Sequence, residues 1–156
     1  MNPVSDAPGA QQSFVDAFRA CLPSAVRTLS KELHQAGFRG WIVGGSVRDV
    51  LLAVRAGRAP SSSADWDFAT DARPEQVQEV FRKVIPTGIQ HGTVTVLLGK
   101  DAFEVTTLRG ERGYSDGRRP DEVYFVDDLK EDLARRDFTV NAIAYSIESE
   151  ELHDPF

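Results

Sequence analysis

Apolar residues at Phe14, Phe18, Val26, Leu29, Leu33 and Phe38 recur at the spacing of a buried helix face. Pro23 interrupts the pattern and can open a second helix at its first turn, so two helices ending near Gly37 are predicted. Residues 1–10 carry Pro, Gly, Ser and Asn without periodicity and predict a disordered lead-in, with the folded domain over 11–156. A short apolar run over 38–43 predicts a strand that meets Gly44-Gly45. Val47, Val50, Leu51 and Val54 then return to helical spacing over 46–54. Residues 56–64 are a loop by composition.

Ordered pattern resumes with a strand over 65–70, a helix over 74–84, and a hairpin of 93–98 with 102–108 joined at Gly99-Lys100-Asp101. Residues 109–122 read as loop. Asp127 or Asp128 can cap a helix carrying Leu129 and Leu133, and Asp137 can cap a second through 144. No internal repeat is visible. The order of elements predicts an α+β fold with α/β character, a small mixed sheet flanked by helices.

A chain of 156 residues is long enough for one domain with its own core. The lone Cys21 can form no internal disulfide, and one cysteine with scattered histidines offers no structural zinc spacing, which fits a reducing cytoplasm. Apolar stretches such as Trp41-Ile42-Val43 are too short to cross a bilayer. Asp6, Asp16 and Arg19 lie where a signal peptide needs an apolar core, so no membrane and no export are predicted. The net charge of -6 excludes nonspecific nucleic-acid binding by the whole surface. Charge is nonetheless uneven: Arg109, Arg112, Arg118, Arg119, Arg135 and Arg136 share one window, as a local basic strip or a solvated surface.

The sharpest chemical signal is Asp65-Trp66-Asp67. On a strand, residues i and i+2 share a face, so both carboxylates address one volume while Trp66 and Phe68 turn to the core. Carboxylates so placed can bridge a pair of Mg²⁺ ions about 3.5–4 Å apart. Glu104, between Phe103 and Val105 on the next predicted strand, is the candidate third ligand. Alone, a D-x-D pair is equally an ordinary solvent-facing feature. Gly44-Gly45-Ser46-Val47-Arg48-Asp49 lies at a strand-to-helix turn, where free N–H groups and the helix dipole favour an anion. Ser46 and Asp49 also have capping-box spacing and can serve only to start the helix. Arg48, in the first turn, suits bidentate phosphate binding.

Taken in order, Gly44-Gly45-x-x-Arg48-Asp49 and Asp65-x-Asp67-x-x-Thr70 resemble the first signature of class II tRNA nucleotidyltransferases and bacterial poly(A) polymerases. Arg135-Arg136-Asp137-Phe138-Thr139-Val140-Asn141-Ala142 is similar to the second. His91-Gly92-Thr93 and Glu104-Val105-Thr106-Thr107-Leu108-Arg109 fall between, and the resemblance spans about 41–156. It implies a nucleotidyltransferase head that adds CMP or AMP to an RNA 3′ end, with tRNA, CTP and ATP as partners and Mg²⁺ as cofactor. It also implies that Asp65, Asp67 and Glu104 hold metal and that Gly44, Gly45 and Arg48 hold the triphosphate. Arg136, Asp137 and Asn141 would contact ribose and phosphates, although capping a helix is an ordinary job for Asp137. His91 reads as structural.

The window 114–120 resembles the family's flexible loop, in a form closer to the CCA-adding branch. Ala53 stands where the family usually has glycine, and 56–64 lengthens a linker that is usually short. Family members continue into neck, body and tail domains, which would have to be supplied separately if this head stands alone. Two rivals remain open: a nucleotidyltransferase of the same fold with a small acceptor such as an aminoglycoside, and a noncatalytic RNA- or partner-binding remnant of such a head. The Arg135–Ala142 segment disfavours the first, and the three retained carboxylates disfavour the second.

Overall fold

Helix α1 (Pro8–Cys21) and helix α2 (Ser24–Gln35) lead into strand β1 (Gly40–Val43). The computed structural model describes residues 8–60, 65–112, 122–136 and 141–156. After β1 come α3 (Gly45–Arg55), β2 (Asp67–Thr70), α4 (Pro74–Val80), β3 (Val84–Gly88), a single 3-10 turn, β4 (Thr93–Leu98) and β5 (Asp101–Thr107). A two-stranded ribbon of β6 (Arg109–Arg112) and β7 (Glu122–Phe125) follows, then α5 (Leu129–Ala134), β8 (Ala144–Ser146) and β9 (Glu151–His153). Seven strands form one sheet in the order β3-β4-β5-β2-β1-β8-β9. The β2–β5 pair is parallel and the other pairs are antiparallel, so the fold is α+β with a mixed sheet.

The two sheet faces are covered differently, and that difference places the site. On one face Ile42, Phe68, Val94, Val96, Val105 and Tyr145 pack under the apolar stripes of α1 to α4, with Phe18, Val26, Leu29, Leu33 and Val47 fully buried. Burying each such side chain contributes about 1.5–3 kcal/mol. Phe18 stacks on Tyr145, ring centroids 3.9 Å apart. On the other face a smaller cluster joins Trp41, Val43, Ala69 and Ala144 to Leu129 and Leu133 of α5. Among the described residues this cover reaches only the β2-β1-β8 side.

Several sequence expectations need correction. Residues 8–10 belong to α1 rather than to a lead-in. The strand expected over 65–70 starts at Asp67; Asp65 and Trp66 precede it, yet the exposed-buried alternation already runs from Asp65. Helix α4 stops at Val80 because Phe81 takes an extended conformation (φ -110°, ψ 145°), and the chain continues as β3. That strand escaped notice because Pro86 breaks its pattern and its side chains do not alternate; both are features an edge strand tolerates. The expected loop over 109–122 begins and ends as the β6–β7 ribbon. A helix through 144 is excluded, since Ala144 opens β8; Asp137, its expected cap, lies outside the described residues, as does the window 114–120. Strand β8 is buried on both faces, Ala144 in the smaller cluster and Tyr145 in the larger, so no alternation marked it. The cap expected at Asp127 or Asp128 is made by Asp128, whose side chain accepts from the Lys130 N–H at 3.0 Å.

Candidate active site

Gly44 closes β1 and caps α3 with φ 77° and ψ -138°, a conformation that an L side chain rarely adopts. Its N–H donates to the Ile143 carbonyl at 3.0 Å, which ties the turn to the segment entering β8. Gly44, at the N-cap, has no side chain to cap α3, so its first-turn N–H groups are not taken up by an N-cap side chain. The capping box read from Ser46 and Asp49 is therefore not formed, and the buried Ser46 hydroxyl finds no hydrogen-bond partner among the described residues.

Two arginines converge on this turn. Arg48 folds back over it: a β-carbon on Gly45 would lie 3.3 Å from Arg48 Nη2. Its Nη1 donates to Asn141 Oδ1 at 2.8 Å, and its Nε donates to Asp49 Oδ1 at 3.1 Å. Arg136, just past α5, brings Nη1 to 3.8 Å from where a β-carbon on Gly44 would stand. Burial lowers the pKa of its guanidinium, and Asp132 and Asp67 pull it back up. Its Nε has no hydrogen-bond partner among the described residues. A desolvated cation with unused donors beside a bare helix start is an anion site in waiting.

The carboxylates lie next to it on the same sheet face. Val43 pairs with Asp67 across β1–β2. The parallel β2–β5 register runs Phe68↔Val105, so continuing it by one residue brings Asp67 alongside Glu104. Burial raises the Asp67 pKa, as do Glu104 and Asp65, against a lowering by Arg136. Asp67 thus feels the other two carboxylates without the three closing into a cage: among the described residues no three His, Cys, Asp or Glu side chains stand close enough to hold a metal ion. The donor set still fits a hard divalent cation, since a cation among these oxygens would relieve the repulsion that Glu104 and Asp65 exert on Asp67. Of the sequence candidates, Gly44, Gly45, Arg48, Asn141, Arg136 and Asp67 are brought together, with Glu104 and Asp65 in electrostatic reach. Asp137 lies outside the described residues. The exposed His91 contributes its carbonyl, which accepts from Arg109 Nη1 at 2.7 Å.

Sequence reading missed Asp132. It is 1% exposed and accepts from the Arg109 N–H at 2.9 Å, from Arg135 Nη2 at 3.3 Å and from Arg136 Nη2 at 3.3 Å. It joins the start of β6, the end of α5 and the arginine at the glycine turn. The signal was present: a carboxylate beside Leu133 in the apolar stripe of a helix, three and four residues before Arg135 and Arg136.

A family model described as the poly A polymerase head domain matches residues 40–156. The chain is 47% identical over 133 residues to the CCA-adding enzyme of Lactobacillus johnsonii, covering 85% of this chain and 30% of that one. It is 51% identical over 141 residues to the CCA-adding enzyme of Listeria innocua, covering 90% and 33%. Its fold matches the Bacillus stearothermophilus CCA-adding enzyme in complex with CTP at TM-score 0.68 and 41% identity, over 90% of this chain and 30% of that one. A tRNA nucleotidyltransferase complexed with a primer tRNA and an incoming ATP analog matches at TM-score 0.56 and 32% identity, over 82% and 34%. The fold is that of a nucleotidyltransferase head. The chain belongs to the poly A polymerase head domain family, and it spans about a third of the length of the CCA-adding enzymes it matches. Among the described residues no helix is long and apolar enough to cross a membrane.

Proposed function

We propose that this chain is the catalytic head of a template-independent RNA nucleotidyltransferase of the CCA-adding type, which transfers CMP or AMP to the 3′ end of an RNA, tRNA by analogy with its relatives. The observation that carries the reading is the juxtaposition of an arginine-flanked glycine turn with Asp67 and Glu104 on one sheet face. The triphosphate would lie against the N–H groups of Gly45 and the α3 start, with Arg48 and Arg136 on either side. Asp65, Asp67 and Glu104 would hold divalent metal, Mg²⁺ by the preference of carboxylate oxygens. Bound there, it would make the RNA 3′-hydroxyl more acidic and neutralise charge on the departing pyrophosphate.

The chain's own groups mostly position. Arg136, held by Asp132, and Arg48, held by Asn141, fix the phosphates so that the α-phosphorus faces the carboxylates. The 3′-oxygen to phosphorus bond forms as the bond to the bridging oxygen breaks, and pyrophosphate leaves on the arginine side. Asp137 is assigned to the ribose on resemblance alone. Incubation with labelled CTP or ATP, Mg²⁺ and tRNA lacking its 3′ end tests the reading, with an aminoglycoside as competing acceptor and Asp67→Ala as control. Label on RNA that disappears in the variant is the expected result. Label on the aminoglycoside, or CTP binding without transfer, would favour the small-acceptor enzyme or the noncatalytic remnant respectively.

A further inference from the structure

We infer that Asp49 is a resident anion of the phosphate site: its carboxylate holds Arg48 between turnovers, gives it up to the incoming triphosphate and takes it back as pyrophosphate departs. The inference rests on the transferase reading above, and it gives a task to a residue of the glycine-turn motif that the mechanism leaves unused.

Arg48 is gripped along two edges by groups of different charge. Its Nη1 donates to the Asn141 amide oxygen at 2.8 Å, a neutral partner. Asp49 Oδ1 takes another edge, 3.1 Å from Nε and 3.1 Å from Nη2. Nη2 is also the Arg48 atom that lies over the turn, 3.3 Å from where a β-carbon on Gly45 would stand. The donor best placed for a phosphate at Gly45 is therefore one that Asp49 already engages. A phosphate oxygen using that edge would meet the carboxylate across the same N–H groups, and two anions there repel. One of them must yield.

Exposure decides which. The Asp49 side chain is 58% exposed, so it can turn into water, and exposed ion pairs are weak. A triphosphate brings several charges and also gains the first-turn N–H groups of α3 and Arg136, so it takes the edge. Asp132 is the contrast: at 1% exposure, and accepting the Arg109 N–H as well, it stays on Arg136. One arginine of the site is thus fixed and the other exchangeable. The exchange lowers affinity for triphosphate and for pyrophosphate alike, which eases departure of the product before another nucleotide enters.

Isothermal titration with inorganic pyrophosphate, at matched ionic strength and constant Mg²⁺, tests this on the wild-type chain, Asp49→Asn, Arg48→Ala and the double variant. Thermal unfolding checks that each is folded. Asp49→Asn should bind pyrophosphate about twofold to fivefold more tightly, the range that an exposed ion pair can withhold. In the Arg48→Ala background the same change should have no effect, because Asp49 then has nothing to withhold. Weaker binding in Asp49→Asn would make the carboxylate a clamp that orients Arg48, and an equal gain without Arg48 would make it a general surface charge. Either result overturns the proposal, as does unchanged binding. If the wild-type chain binds no pyrophosphate, or binds it equally well after Arg48→Ala, the phosphate reading of the turn falls and the proposal falls with it.

Discussion

Replacing Asp132 by alanine removes a carboxylate that ties α5, the β6–β7 ribbon and Arg136 together. At 1% exposure it accepts one backbone N–H and faces two guanidinium groups that are themselves 16% and 21% exposed. Alanine takes this acceptor away from two largely buried cations and from the Arg109 N–H. Breaking a buried pair from one side costs about 3–5 kcal/mol. A domain holds in total about 5–15 kcal/mol. At roughly 2–4 °C per kcal/mol for a chain of this size, Tm should fall by about 6–20 °C. Asp132→Asn keeps an oxygen for the Arg109 N–H but loses the charge, so its cost should be smaller, about 1.5–3 kcal/mol. Urea unfolding followed by circular dichroism and by tryptophan fluorescence measures both. The asparagine variant, well folded at low temperature, should also bind CTP several-fold more weakly because Arg136 is no longer held. In an Arg136→Ala background the same change should make little further difference. An alanine variant within about 1 kcal/mol of wild type would refute the reasoning, since surface carboxylates behave that way and buried hubs do not.

Asp67 titrates above its ordinary range because burial and the neighbouring carboxylates penalise its charged form. The penalty is absent below the unfolded pKa and complete above the folded one, so metal-free Asp67→Asn should melt higher than wild type at neutral pH, and the gain should vanish below about pH 3.5. Differential scanning calorimetry across pH in EDTA decides it, and a lower neutral-pH Tm contradicts the sign. Gly44→Ala should lose about 1–3 kcal/mol from its backbone conformation and also lose CTP affinity, read by chemical unfolding and nucleotide titration; unchanged affinity would remove the turn from the phosphate site. Arg48→Ala and Asn141→Ala should each weaken CTP binding, and their double mutant should fall short of the sum by about 0.5–2 kcal/mol because Asn141 acts by holding Arg48. Additive losses would give Asn141 a contact of its own.

Elements with a single apolar stripe were legible in the sequence; those whose form depends on partners were not. Helices α2 and α3 follow Val26, Leu29 and Leu33, and Val47, Val50 and Leu51, because each buries one stripe against one layer. The ribbon of Arg109–Arg112 with Glu122–Phe125 shows no such stripe. Its strands hold through mutual pairing and through contacts such as Arg73 over the Phe125 ring, 5.0 Å from the centroid, which no local pattern encodes. The same division runs through the site. Gly44, Gly45 and Arg48 are local to one turn, and their proximity follows from spacing. That Asn141 reaches Arg48 from 93 positions further along the chain and that Arg136 abuts Gly44 are consequences of β8 returning beside β1. No local pattern links those residues; only the family resemblance implies that they share a site.

The charge layout of the site carries a last prediction. A chain of net charge -6 does not gather a nucleotide by bulk attraction, so affinity must come from local placement. Arg48 and Arg136 stand at one end, each held by an oxygen of Asn141 or Asp132, and Asp67 with Glu104 and Asp65 stands at the other. A free triphosphate gains the arginines but meets the carboxylates, while a free divalent cation gains the carboxylates but meets the arginines. Only the two together satisfy both ends. Mg²⁺ should therefore tighten CTP binding, and CTP should tighten Mg²⁺ binding by the same factor, once complexation in solution is subtracted. A coupling of tenfold or more, about 1.4 kcal/mol, is the expected scale. Removing one repelling carboxylate should reverse the pattern: Asp67→Ala should bind CTP better than wild type in EDTA and lose most of the response to Mg²⁺. Isothermal titration of both ligands in both orders, with and without the substitution, gives all four constants. Equal CTP affinity in EDTA and in Mg²⁺ would show that the carboxylates and the arginines do not act on one ligand, and the site would have to be divided.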